Sequence, residues 1–338
     1  VPGRTEEWRK ETLAGMNNDI LKFNIEFGND FLGSASTLID GKRLNEIKTH
    51  STEHKVESQT AALRGTDEKF QFNMYKPPVK GRTYVIGADA GDGIGLDAST
   101  VVVLDISDTS NIETVATYSN SFISTAEFAY LLVKLGYTYN NAYVAIENNG
   151  VGSAVVSTMW NVFSYEWFIN EGGKNTGICS GEKLKLEACL WVKELTQNLL
   201  PKIYDGRIIY ELEGFERNPS KRNSYSGRTG IHDDFAMAFI WGMYCVKLAE
   251  KYFDVKEFHK TLYMTSIPKI IQTFESGREQ KTTREYELLI KQIDEVGKKL
   301  IDNVGGAGIL PTKEEYAEQR SVLTYTGSVI QQVNPYDW

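Results

Sequence analysis

The chain has 338 residues, 41% of them hydrophobic and 12% aromatic, and a formal charge of −8. That balance fits a folded chain of one large or two modest domains and excludes a disordered one; the negative charge also speaks mildly against a nucleic-acid partner unless a basic strip is local. No run approaches the ~18 apolar residues that cross a bilayer, so no membrane partner is expected. The opening Arg4-Thr5-Glu6-Glu7-Trp8 shows no basic-apolar leader pattern. The cysteines Cys179, Cys189 and Cys245 are odd in number and lack CxxC spacing. They fit a reducing compartment and support neither a disulfide frame nor a cysteine zinc site.

Residues 1–78 read as short helices followed by polar, irregular chain. Trp8, Leu13, Ile20, Phe23 and Phe27 share one helical face, which Gly28 and Gly33 interrupt. Tyr75-Lys76-Pro77-Pro78-Val79-Lys80-Gly81 reads as a stiff linker, because paired prolines fix the backbone and forbid a helix.

Residues 79–252 alternate strand and helix signals. Strands are predicted near 83–89, 98–106 and 112–122, the first two joined by the hairpin punctuation Gly91-Asp92-Gly93-Ile94-Gly95. Ser124-Thr125-Ala126-Glu127 is a capping box. It opens a helix with Phe128, Leu131, Leu132 and Leu135 on one face and Gly136 at its end. A strand then runs to Glu147, followed by the turn Asn148-Asn149-Gly150 and a helix through Ala154, Val155 and Met159. A helix over 182–200, a strand at 206–211, a hairpin at 214–230 and a helix from Phe235 to Val246 complete the section. Three successive strands followed by alternating helices and strands predict an α/β fold with a mixed sheet.

Residues 253–338 read as a helical C-terminal arm. Tyr286, Leu289, Ile293, Val296 and Leu300 form a stripe, Gly305-Gly306-Ala307-Gly308 breaks it, and Thr312 to Glu315 is a second capping box. The arm reads either as packing against the main body or as a docking surface.

Acidic residues mark the ends of these elements. Asp89 closes a strand, Asp97 precedes the next, Glu147 closes another and Asp234 starts a helix. The hairpin puts Asp89 and Asp97 at one sheet end, and Glu147 joins them if a crossover helix makes its strand parallel to the first. Two carboxylates about 4 Å apart repel by roughly 4 kcal/mol at an effective dielectric near 20. Such a cluster takes up protons or binds a cation, and oxygen ligands favour Mg²⁺ or Mn²⁺.

The glycine-rich Asp89 to Asp97 loop admits few motifs. An EF-hand fails, because Gly91 and Thr100 stand where ligands are needed. A dinucleotide fingerprint fails, because a strand follows. No GxxxxGK[ST] occurs. A ribonuclease H-like metal hairpin, an actin- or sugar-kinase-like phosphate hairpin and a solvated Asp-Gly turn stay open. Glu147 reads as a ligand or as a cap for the helix after it, whose amide-bearing N-terminus also suits phosphate. In His232-Asp233-Asp234 the acids read as ligands or as helix-dipole partners, and His232 as a proton-transfer group or a structural histidine. Lys183 and Lys185 are candidate phosphate contacts. So is the acid-free strip of Arg217, Lys221, Arg222 and Arg228.

Asp89…Asp97, Ile146-Glu147-Asn148 and His232-Asp233-Asp234, in this order, resemble the nuclease domain of the large terminase of tailed bacteriophages. Phe23 to Asp40, especially Glu26 to Ser34, looks like the stretch leaving that family's ATPase domain. The resemblance implies a ribonuclease H-like fold over about residues 80–250. It implies a metal-dependent endonuclease that cuts concatemeric phage DNA during packaging. Asp89, Glu147 and Asp234 would be the ligands of two Mg²⁺ or Mn²⁺ ions, with Asp97 and Asp92 auxiliary and Asp233 the rival third ligand. Two such ions stand about 3.5–4 Å apart. Implied partners are double-stranded DNA, portal, small terminase subunit and a P-loop ATPase motor that this sequence lacks. The implied location is the host cytoplasm, transiently at the procapsid portal. Rival expectations are an ATP-binding phosphotransferase of actin type and a non-catalytic assembly module.

Overall fold

The central strands are buried along nearly their whole length because both faces of their sheet are covered. The computed structural model describes residues 5–15, 37–54, 56–61, 68–108, 110–173, 176–218, 221, 224–248 and 283–304. Its main sheet contains β1 (Gln59–Ala61), β2 (Phe72–Met74), β3 (Tyr84–Asp89), β4 (Ser99–Asp105), β5 (Glu113–Asn120) and β6 (Tyr143–Ile146), in the order β1-β2-β5-β4-β3-β6. Every neighbouring pair is antiparallel except β3 and β6, which are parallel. This is the mixed sheet that the strand pattern predicts. A separate hairpin pairs β7 (Phe215–Arg217) with β8 (Tyr225–Gly227).

The helices are α1 (Glu6–Gly15), α2 (Gly41–Glu53), α3 (Thr125–Thr138), α4 (Val151–Asn161), α5 (Glu182–Asn198), α6 (Gly206–Glu213), α7 (Asp234–Lys247) and α8 (Thr283–Val304). Strand alternation divides the core into two halves. Val85, Val102, Leu104 and Ala145 face α2, α5, α6 and α7. Ile86, Ala88, Val101 and Val103 face α3, α4 and α8. The capping box at the start of α3 forms in full: the Ser124 hydroxyl accepts from the Glu127 amide, and Glu127 accepts from the Ser124 amide.

Glycine sets how closely α7 approaches the sheet. A Cβ on Gly87 would lie 1.8 Å from the Ala238 carbonyl oxygen and 2.6 Å from the Gly242 nitrogen. The helix therefore rests directly on β3, and its first turn reaches the strand end that carries Asp89.

Three sequence expectations change. Residues 206–213 form a helix, not a strand. The Ile208-Ile209 pair has strand propensity, but Asp205 accepts the Arg207 amide as N-cap, and Ile208, Ile209 and Leu212 bury one helical face. Residues 59–61 and 72–74, within the stretch read as irregular chain, form the outer strands of the main sheet. The proline segment is pinned to the sheet: the Tyr75 and Lys76 amides donate to the Val115 carbonyl, and Asn140 donates to the carbonyls of Val79 and Arg82.

On α8, Leu289, Ile293 and Leu300 are buried and Val296 packs beside them, so this stripe covers α3. Asp294 adds a polar clamp, accepting from the Tyr130 hydroxyl and from Lys134 Nζ, each at 2.6 Å. The expectations for Ile20, Phe23, Phe27, Gly28, Gly33, the Glu26 to Ser34 stretch, Gly305 to Gly308 and Thr312 to Glu315 lie outside the described residues.

Candidate active site

Asp89 is the last residue of β3 and faces Thr100 across the β3–β4 ladder. Because β3 and β6 are parallel, Glu147 follows β6 at the same sheet end. Asp234 reaches that end from the first turn of α7, and its Oδ2 accepts the Ala98 amide at 3.1 Å. Strand, neighbouring strand and helix thus deliver carboxylates to one place from positions 58 or more residues apart in the chain.

The electrostatics record this convergence. Burial, then Glu147, then Asp234 push the Asp89 carboxyl up to about 8, while Lys185 on α5 opposes the shift. Asp234 is also raised, chiefly by burial and then by Asp97 and Asp233, against the stabilising Ala98 amide. Asp89 keeps partial access to solvent, so a small cation can reach it. The opposite charge that acts on it most strongly is Lys185.

The all-oxygen donor set of Asp89, Glu147 and Asp234 fits hard divalent cations.

The other predicted residues divide by location. Asp233 is tied to the small hairpin, its Oδ2 accepting the Gly227 amide at 3.1 Å, and its charge adds to those acting on Asp89. Asp97 and His232 are exposed at the rim, with His232 Nδ1 3.9 Å from Asp97 Oδ1. Asp92 is exposed in the β3–β4 loop. Lys183 lies on the exposed side of α5 near Glu187 and not beside Asp89. Arg217, Lys221 and Arg228 are exposed on the β7–β8 hairpin, Arg217 over the Tyr225 ring, and Arg222 lies outside the described residues. The phosphate cradle expected at the start of α4 is largely occupied. The Asn148 amide donates to Ile178, Gly152 to Asn149 and Ser153 to Gly150.

Two residues of the site escape sequence reading. Trp241 Nε1 donates to Glu147 Oε1 at 3.2 Å. It sits two helical turns after Asp234 on the same face of α7, and a buried indole needs an acceptor; that pairing was the available signal. Glu211 Oε2 accepts the Ala236 amide at 2.9 Å and so caps the helix that carries Asp234. Burial, then the Asp234 charge working against that amide, pushes Glu211 up to about 7. Its role follows once 206–213 is a helix.

Residues 86–243 match the family model described as Terminase RNaseH-like domain. Among solved structures, the large terminase nuclease from thermophilic phage G20c with bound magnesium is similar at 18% identity and a TM-score of 0.46, over 62% of this chain and 98% of that one. The large terminase nuclease domain of Thermus phage P74-26 is similar at 17% identity and a TM-score of 0.42, over 57% and 91%. The g2p nuclease domain of bacteriophage SPP1 with bound Mn is similar at 13% identity and a TM-score of 0.36, over 55% and 95%.

Proposed function

On the match of residues 86–243 to the terminase RNase H-like domain model, we propose that this chain belongs to that family and is a metal-dependent endonuclease that cuts concatemeric phage DNA during packaging. The observation that carries this reading is the meeting of Asp89, Glu147 and Asp234 at one sheet end, where the Asp89 carboxyl is raised by its two neighbours. The G20c and SPP1 relatives bind magnesium and manganese, and the oxygen donors here suit the same cations.

Asp89, Glu147 and Asp234 would hold the pair of divalent cations through their carboxylate oxygens. When bound, such ions supply Lewis acidity, activating water and stabilising the departing oxygen of a phosphodiester. The protein's own share is placement. Trp241 holds one oxygen of Glu147, and the Ala98 amide holds one oxygen of Asp234. Lys185 offers a positive charge on the Asp89 side, suited to a phosphate. Arg217, Lys221 and Arg228 on the hairpin are suited to backbone phosphates farther along a duplex, so binding should be sequence-tolerant and salt-sensitive. In packaging, portal, small terminase subunit and an ATPase motor would be the partners, in the host cytoplasm.

The test is plasmid cleavage with Mg²⁺ or Mn²⁺ by the protein and by Asp89→Asn. The substitution keeps the shape and removes the charge, so cleavage is expected to fall by about 100-fold or more. Unchanged cleavage by Asp89→Asn contradicts the assignment.

A further inference from the structure

A second group of metal-ligating side chains lies away from the carboxylate cluster. His50-Ser51-Thr52-Glu53-His54 closes α2 and runs one residue past it. Positions i, i+3 and i+4 fall on one helical face. A ring nitrogen of each histidine and a Glu53 oxygen all lie within 4.8 Å of one another.

The location separates the two sites. The charges that act on His50 from outside α2 are those of Lys202 and Glu113. Glu113 pairs with Asp105, at the end of β4 opposite Ser99 and Thr100. Thr100 pairs with Asp89, so the histidines lie toward the far end of the sheet.

The local structure readies the donors. His54 Nδ1 lies 2.8 Å from the His50 carbonyl oxygen. Against a carbonyl that nitrogen is the donor, so Nε2 keeps its lone pair outward, the arrangement in which ligating imidazoles are usually held. The turn itself is anchored: the Ser51 hydroxyl donates to Ile47 and accepts the Ile203 amide at 2.9 Å. Lys202 opposes a cation here, but it faces Glu113 at 3.4 Å. Ligand atoms on a tetrahedral Zn²⁺ stand about 3.4 Å apart, so modest rotation of the exposed Glu53 and His54 side chains closes the set.

We propose that His50, Glu53 and His54 form a second cation site, with two nitrogens and one oxygen for Zn²⁺ or a cation of its class and a fourth position open to water. Nitrogen donors select borderline cations, whereas the Asp89 cluster selects hard ones. Bound metal staples the last turn of α2, tying its side chains at positions 50, 53 and 54 together. The site does not depend on the nuclease reading.

Calorimetric titration of the full chain with Zn²⁺ under a large excess of Mg²⁺ tests it, alongside Asp89→Asn, His54→Gln and Glu53→Gln. Saturable single-site binding is expected in the wild type and in Asp89→Asn, with affinity weakened at least about tenfold in His54→Gln. Zn²⁺ should raise the melting temperature of the wild type and leave that of His54→Gln unmoved. His54 and Glu53 are exposed, so both variants should melt like the wild type in chelator; if His54→Gln does not, Glu53→Gln supplies the comparison. Absence of saturable binding, binding indifferent to both α2 variants, or binding abolished by Asp89→Asn would overturn the proposal.

Discussion

At the scale of single residues, the site depends as much on the groups that hold its carboxylates as on the carboxylates. Trp241 is buried and donates to Glu147. Trp241→Phe keeps most of the apolar volume and removes the indole N–H, freeing the Glu147 carboxylate to rotate. Mn²⁺ affinity, followed by calorimetry, should fall roughly 10-fold, the usual scale for an outer-shell partner, while the melting temperature of the metal-free protein shifts little. Equal Mn²⁺ affinity would show that the bond does not position Glu147. Legibility at this scale was uneven. Asp89 and Glu147 were readable because each ends an apolar strand, and strand ends are easy to place. Asp233 and Asp234 are adjacent in sequence, and only the fold separates them: one accepts from the hairpin, the other from the start of β4. The partners of Trp241 and Glu211 are not legible in the sequence, since each lies more than 20 positions away.

At the scale of elements, close packing of α7 on β3 decides where Asp234 sits. Gly87→Ala would drive a methyl group against backbone atoms of Ala238 and Gly242, which cannot rotate aside. A cost of about 3 kcal/mol or more is expected, read as a lower denaturation midpoint, and Asp234 would be displaced with the helix. The strand reading of 206–211 failed for a related reason. A pair of isoleucines fits either element, and the deciding features are the Asp205 cap and burial of one helical face by α7. That cap predicts a pH dependence. Burial would raise Asp205, but hydrogen bonds from Arg207 and Thr117 overcome it and hold the carboxyl below its usual range. Glu113 behaves alike, burial being outweighed by Lys76, Asn111 and Lys202. A folded value below the unfolded one gives stability that is present above the unfolded value, about 4, and is lost as pH falls through the folded one. Denaturant unfolding should therefore show stability falling below about pH 4, and less steeply in Asp205→Asn. An unchanged acid slope in that variant would contradict the assigned role of Asp205.

At the scale of the molecule, the mixed sheet gathers contributions from beyond residues 86–243. Residues 59–61 and 72–74 extend one edge, and α8 covers α3 on the opposite side from α7. The contact between α3 and α8 has a buried polar centre, with the Lys134 side chain 3% exposed and facing Asp294. Asp294→Ala should cost about 2 kcal/mol, less than a fully buried pair because Asp294 itself is partly solvated; a neutral effect on the melting temperature would mean that the stripe alone seats α8. The central architecture was legible because hairpin and crossover signals fix strand direction. Outer strands of three residues, such as β1 and β2, are too short to show a period. The central claim concerns this whole arrangement: the sheet end where Asp89, Glu147 and Asp234 meet holds divalent cations. Anomalous diffraction from crystals soaked in Mn²⁺ tests it most directly. Two peaks flanking Asp89, one toward Glu147 and one toward Asp234, are the predicted result; saturating Mn²⁺ with no peak within coordination distance of Asp89 would contradict it.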